Sequence, residues 1–312
     1  MAAATHVRAR PAIQTDGLTK YYGKQLGIED VNLDVREGEV FGFLGPNGAG
    51  KSTTIRTLLD EIRPTSGSAT ILGLDTHAEA VAIRRHIGYI PGDLALYPNL
   101  TGTDTLMYFA NMRGGVDWSH VDELAERLDS DLSRKVGDLS TGNRQKVGVI
   151  QAFMHRPDLL IMDEPTAGLD PLIQREFQKM VSEVAAEGRT VFLSSHTLSE
   201  VQRVADRVGI IRNGRLITVE SVADLRSKSM REVEFVLDTQ ADASVFEDVE
   251  GVRNVVVAGN QVEMSFGGDM GELLTTVTER YGVADIKTTE ADLEEIFLTY
   301  YHEDEEVEEE RS

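Results

Sequence analysis

The residues whose types and spacing can do chemistry most directly are Gly45-Pro46-Asn47-Gly48-Ala49-Gly50-Lys51-Ser52-Thr53. They fit G-x-x-x-x-G-K-[ST], the pattern of a phosphate-binding loop between a strand and a helix. Glycines let the backbone close on a phosphate, so that successive N–H groups form a positively polarised cradle. The helix that follows adds its N-terminal dipole at the same place. Lys51 is spaced to reach the β- and γ-phosphates of a nucleotide, and the Ser52 hydroxyl to ligate Mg²⁺. A second group is Asp163-Glu164, which closes the apolar run Leu159-Leu160-Ile161-Met162. A buried parallel strand ending in two carboxylates suits Asp163 to hold a metal and Glu164 to polarise an attacking water. Two solvated acids at a strand end are the plain alternative. His196 follows a further apolar run, Thr190-Val191-Phe192-Leu193-Ser194-Ser195. A lone histidine is more often structural, but this one falls at the same sheet edge as Asp163 and Glu164. Leu139-Ser140-Thr141-Gly142-Asn143-Arg144-Gln145-Lys146 opens a helix with small polar residues, an anion seat that is a weak signal alone. Tyr22 stands between two strand-like pieces, where it either stacks on a nucleotide base or simply packs.

These groups need a scaffold, and the hydrophobic pattern supplies one. Residues 39–44 form a short apolar run before the loop, a buried strand, and 54–59 continue into a helix. Val31-Asn32-Leu33-Asp34-Val35 alternates with period two, as a strand does. A turn at 63–68 leads to a strand at 69–72, a short helix at 78–86 and a strand edge at 86–91. From 100 to 131 the pattern becomes helical. Ser119 is expected to cap a helix with Val121, Leu124, Ala125 and Leu128 on one stripe. The turn at 167–171 is followed by another helix. The whole reads as an α/β chain interrupted by an α-rich insertion over about 94–155.

The composition bounds the rest. At 312 residues the expectation is about two domains. The absence of cysteine excludes disulfides, thiolate metal sites, iron–sulfur clusters and cysteine nucleophiles. No run approaches ~18 apolar residues, so no membrane span is expected. Residues 1–12 read as a disordered, weakly basic leader without a signal-peptide core, and a cytoplasmic location is expected. The net charge of −22 is uneven, with 7 Lys/Arg against 23 Asp/Glu in residues 226–312. That asymmetry argues for a separate acidic C-terminal module and against a nucleic-acid-binding surface there. Within 226–302, alternating strands at 232–237 and 252–266 (a hairpin turning at Ala258-Gly259-Asn260), a helix at 270–281, a strand at 285–287 and a helix at 293–301 are expected. The acidic run at 303–312 is expected to be disordered.

Taken in order, these motifs resemble the ATP-binding cassette proteins of ABC transporters over about residues 13–225. Tyr22 falls at that family's adenine-stacking aromatic, residues 45–53 at its phosphate loop, 139–146 at its signature sequence and 159–164 at its Walker B strand. Gly168-Leu169-Asp170 resembles its D-loop, and His196 its switch histidine. The resemblance implies a RecA-like α/β lobe with an antiparallel β-subdomain and an inserted helical subdomain, here followed by a small α+β C-terminal domain. It implies ATP and Mg²⁺ as cofactors, and a head-to-tail homodimer in which Ser140 and Gly142 of one chain cap the γ-phosphate held by the other. The segment Leu94-Ala95-Leu96-Tyr97-Pro98-Asn99-Leu100-Thr101-Gly102 and the C-terminal region are similar to the daunorubicin-like, ABC-2-type exporter branch.

Two positions depart from the family pattern. Thr141 and Asn143 stand where the signature has its first glycine and its glutamine. In Ile90-Pro91-Gly92-Asp93, Gly92 replaces the glutamine that in the family contacts Mg²⁺ and the lytic water, and glycine has no side chain to do so; compensation by Asp93 is the open alternative. The resulting expectation is a cytoplasmic, membrane-peripheral ATPase subunit that powers a separately encoded permease, with drugs, antibiotics or other hydrophobic compounds as exported cargo. The alternatives are a soluble ABC ATPase acting on ribosomes or DNA, disfavoured by a single cassette and an acidic end, and a low-turnover nucleotide-binding regulatory module, encouraged by Gly92.

Overall fold

The computed structural model describes residues 11–228 and 231–289. The chain divides after Glu220 into two compact units. In the first, a six-stranded sheet runs in the order Arg215–Ser221, Arg207–Arg212, Val40–Leu44, Thr190–Ser195, Leu159–Asp163, Ile87–Ile90. From Arg207–Arg212 to Ile87–Ile90, neighbouring strands are parallel. The three central strands are buried at every position. They read as continuous apolar runs because helices cover both faces of such a sheet, leaving no solvent face to alternate toward. Phe41 stacks on Phe192 with ring centres 5.8 Å apart, and Phe43 lies 5.4 Å from the same ring. Each such buried ring contributes on the order of 2–3 kcal/mol by leaving water.

A second sheet is antiparallel, pairing Pro11–Tyr22 with Gln25–Val31, Asp34–Arg36 and Ser66–Ile71, and the last with Leu74–Asp75. Pro11 and Ala12 thus open a strand instead of ending a leader, and Ala12 is fully buried, which an unstructured leader would not be. The period-two stretch 31–35 keeps its alternating burial but is split between two strands at Asn32 and Leu33.

The inserted helical segment carries Gly102–Met112, Trp118–Arg127 and Thr141–Phe153. Thr101 and Asp104 form a capping box on the first helix. Ser119 does not cap the second. Asp117 does, and its carboxylate accepts from both the N–H and the hydroxyl of Ser119. A carboxylate is the better partner for the helix's positive end, so the charged residue outcompetes the hydroxyl. Val121, Leu124 and Leu128 are buried as one stripe.

The second unit is a four-stranded antiparallel sheet, in the order Val252–Ala258, Gln261–Phe266, Arg231–Leu237, Val283–Thr289, with helices Ser244–Glu247 and Met270–Thr278. Phe235, Phe246, Met264, Phe266 and Leu273 form its core. The helix expected at 293–301 and the acidic run at 303–312 lie outside the described residues.

The insert is fastened to the large sheet at the carbonyl of Ile87. Arg113 donates to it at 3.1 Å, and so does His155 Nε2, also at 3.1 Å. Burial, reinforced by the charge of Arg113, lowers His155 to about 4. Its Nδ1 is buried without a partner among the described residues, which offer no acceptor for a second proton there. Below pH ~6.5 the unfolded chain takes up a proton that the folded chain refuses. Stability is therefore full above that pH and falls as pH drops toward 4, by on the order of 2–3 kcal/mol. Melting curves at pH 7.5 and pH 5 should show a smaller acid loss for His155→Gln, which keeps a donor but cannot titrate. Equal losses in variant and wild type would refute this role.

Candidate functional site

The strand Val40–Leu44 delivers the chain into the loop 45–50, and the helix Lys51–Leu58 begins at once. Gly48 and Gly50 hold φ angles of 82° and 110°, a region that side chains avoid. A Cβ at Gly50 would also come within 2.8 Å of Ile28. Lys51 is buried and curls back over the loop, donating to Gly45 O at 2.6 Å and Pro46 O at 3.2 Å. Its ammonium also lies 3.2 Å from Glu164 Oε1.

Glu164 follows the strand Leu159–Asp163 with a positive φ of 50°, a conformation that few residues other than glycine adopt. This turn sends its carboxylate two ways: Oε1 toward Lys51, and Oε2 to within 2.8 Å of His196 Nδ1. The glutamate is largely covered while His196 is more than half exposed, so the chain of contacts leads from the buried lysine out to solvent. Asp163 is buried, and Ser194 Oγ donates to its Oδ1 at 2.5 Å.

A cavity of about 280 Å³ opens over the loop, lined by Tyr22, Gln25, Leu26, Gly27, Glu164 and the loop residues 46–48 and 50–53. Ser52 presents an exposed hydroxyl there, whereas Gly45 and Ala49 are buried behind it. Tyr22 is 46% exposed, with the Lys20 ammonium 5.4 Å from its ring centre. Gln25, Leu26 and Gly27 carry no sequence signal. They reach the cavity because the hairpin pairs Tyr22 with Gln25. Gly27 brings bare backbone against the Tyr22 ring, where a Cβ would meet it at 2.9 Å.

Three residues with sequence-based roles stand apart from this cavity. Ser140 caps the helix Thr141–Phe153, accepting from Asn143 N. Gly142 lies against the turn at 168, where a Cβ would fall 2.3 Å from Gly168 O. Asp170 caps the helix Pro171–Ala186 through the N–H groups of Leu172 and Ile173. Within one chain all three therefore have structural work. Gly92 lies beside Asp163, where a Cβ would sit 3.0 Å from Oδ2, so that oxygen faces bare backbone. Asp93 is exposed and makes no hydrogen bond or ion pair among the described residues.

The sequence profile of the ABC transporter family matches residues 28–167. The bacitracin transport ATP-binding protein BcrA of Bacillus licheniformis is 40% identical over 236 residues, spanning 75% of this chain and 77% of its own. The chain belongs to the ABC transporter ATP-binding family. The corresponding protein of Enterococcus faecalis is 34% identical over 266 residues, 84% of this chain and 86% of its own. Among solved structures, the dimeric MJ0796, a bacterial ABC transporter cassette, superposes with a TM-score of 0.63 at 25% identity, covering 67% of this chain and 98% of that one. The ATPase thus binds and hydrolyses ATP as a transporter subunit. Among its described residues no helix is long and apolar enough to cross a membrane.

Lys51→Ala should weaken ATP binding roughly ten- to a hundredfold, the loss expected for one charge-assisted contact to phosphate. Titration with a fluorescent ATP analogue measures it. Binding equal to wild type would remove Lys51 from the phosphate site.

Proposed function

We propose that this ATPase drives a separately encoded membrane permease that exports an antibiotic or another hydrophobic compound, working as a homodimer at the cytoplasmic face. The observation that carries the catalytic part is the continuous chain Lys51–Glu164–His196 over the phosphate loop. In this reading the loop amides and Lys51 hold the β- and γ-phosphates. Glu164 accepts a proton from the attacking water at the carboxylate oxygen nearest the γ-phosphate. His196, already bonded to Glu164, holds that carboxylate in place beside the γ-phosphoryl group as it passes to water and ADP departs. Tyr22 and the bare backbone at Gly27 receive the base.

The site's donors also suit Mg²⁺. A hydroxyl from Ser52 and a carboxylate from Asp163 are hard oxygen ligands, and magnesium sites typically combine one or two protein oxygens with substrate phosphates and water. Among the described residues no cluster of three or more acidic or histidine side chains offers a cage for another kind of metal. When bound, the ion would neutralise charge on the phosphate oxygens.

The dimer reading is supported by residues that stand apart from the cavity within one chain. Ser140 and the exposed start of the helix Pro171–Ala186, where Leu172 is 74% exposed, serve no phosphate in their own chain. Across a head-to-tail dimer, Ser140 and the N–H of Gly142 would meet the partner's γ-phosphate, with Asp170 beside them. The permease reading has its own surface. A groove of about 950 Å³ is lined by Val81, Tyr89, Leu94, Leu96, Phe109 and Met112, with Arg84, Arg85 and Arg113 among its walls. Met107, Tyr108 and Met112 of the same helical insert expose large apolar surface to solvent. Such an apolar groove with cationic walls fits a short amphipathic segment of a partner protein. Antibiotic cargo is supported by the bacitracin transport relatives.

Glu164→Gln should bind ATP but hydrolyse it at least ~10²-fold more slowly, the low end for loss of a general base. A closed dimer should then accumulate with ATP, read by size-exclusion chromatography beside phosphate release. Rapid hydrolysis by the variant would move the base elsewhere. Copurification from the native host with a protein other than a polytopic membrane protein would overturn the permease reading.

A further inference from the structure

The side chain that bonds both the Asp163 carboxylate and the backbone N–H of Glu164 belongs to neither motif. Ser194 lies on the strand Thr190–Ser195, paired in parallel register with Asp163, and is fully buried. Its hydroxyl donates to Asp163 Oδ1 at 2.5 Å. The same oxygen lies 3.3 Å from the N–H of Glu164, and the Ser194 carbonyl accepts from that N–H at 3.2 Å. A hydroxyl has one proton and two lone pairs, so it can give to Asp163 and receive from Glu164 together. Among the described residues Ser194 is the one side chain hydrogen-bonded to Asp163. The other oxygen, Oδ2, faces Gly92, which has no side chain to offer.

We infer that Ser194 is a positioning residue: it fixes the rotamer of Asp163 for the metal and steadies Glu164 in its left-handed turn toward Lys51 and His196. This rests on the nucleotide-site reading above. Without the hydroxyl, the Asp163 carboxylate is free to rotate about its terminal bond, with Gly92 opposing nothing on the far side. Glu164, at φ 50°, loses one of the two acceptors that hold its N–H. Phosphate contacts by Lys51 and the loop amides are untouched, because none of them passes through Ser194.

The experiment compares wild type, Ser194→Ala and Ser194→Thr, the last keeping the hydroxyl. ATP binding is measured by titration in EDTA and again across a Mg²⁺ series, with steady-state hydrolysis and melting temperature alongside. Ser194→Ala should bind ATP in EDTA within twofold of wild type. Its half-saturating Mg²⁺ should rise about tenfold, and kcat should fall about tenfold or more with KM little changed. Ser194→Thr should restore most of both. An unchanged Mg²⁺ half-saturation in a folded Ser194→Ala overturns the positioning role. So does a parallel loss of melting temperature and of EDTA binding, which would mark a merely structural serine. If Ser194→Ala does not fold, Ser194→Thr decides alone: wild-type Mg²⁺ dependence supports the role, and a tenfold rise in a stable protein overturns it. Absence of ATP binding by the wild type, or wild-type binding by Lys51→Ala, would instead strike the nucleotide-site reading beneath it.

Discussion

Three buried parallel strands in fixed register are the constraint on which the site depends. Val40 pairs with Val191 and Leu44 with Ser195, while Leu159 pairs with Thr190 and Asp163 with Ser194. Because register is locked by stacked rings and by burial on both faces, the strands end within one residue of each other. The phosphate loop, the paired acids and His196 therefore emerge at one edge without any long-range contact having to be built between them. A slip of one residue would turn Asp163 away from Ser194 to the opposite face of the sheet and bury a charge among Leu160, Met162 and Leu193. The penalty against that slip is what makes the geometry robust.

Much of this was legible in the sequence because the signals are local. A glycine-rich run before Lys51-Ser52 dictates a loop, and an apolar pentad before Asp163-Glu164 dictates a buried strand. The helix starts after Ser140 and Asp170 were legible, although the caps those two residues form emerge only in the structure. A cap was misread where two residues competed, as Asp117 and Ser119 did. What stayed hidden is cross-strand. Ser194 looks like any small residue in an apolar strand, and only the pairing with Asp163 gives it a carboxylate to hold. Gln25, Leu26 and Gly27 were hidden for the same reason, since their place at the cavity comes from the hairpin partner of Tyr22. The positive φ of Glu164 has no sequence signature either.

Gly142 shows how one residue type can answer two demands. Its neighbour across the turn, Gly168 O, leaves no room for a side chain, which explains the glycine by packing alone. Gly142 also stands in the first turn of the helix Thr141–Phe153, where helix N–H groups have no carbonyl partner within the helix. A packing requirement within the chain and the anion contact proposed between chains would select the same residue. Neither flanking position faces a backbone carbonyl so closely that a side chain must be absent.

The contact between Lys51 and Glu164 ties binding to chemistry. Lys51 has two carbonyls and one carboxylate around its ammonium, and a nucleotide's phosphates compete for that same charge. Each contact Lys51 makes to phosphate is one it withdraws from Glu164 Oε1, a buried oxygen with no hydrogen-bond donor of its own. A buried carboxylate oxygen stripped of its cation must find a proton donor nearby, and the attacking water beside the γ-phosphate is the donor at hand. On the proposed reading, nucleotide entry would convert Glu164 from a partner of Lys51 into an acceptor poised on water. His196, bonded to the other oxygen, keeps the carboxylate from swinging out to solvent as the exchange takes place. If Glu164 is the base, it is held quiet by the same lysine proposed to recognise the substrate, and the step that fills the site would also be the step that arms it.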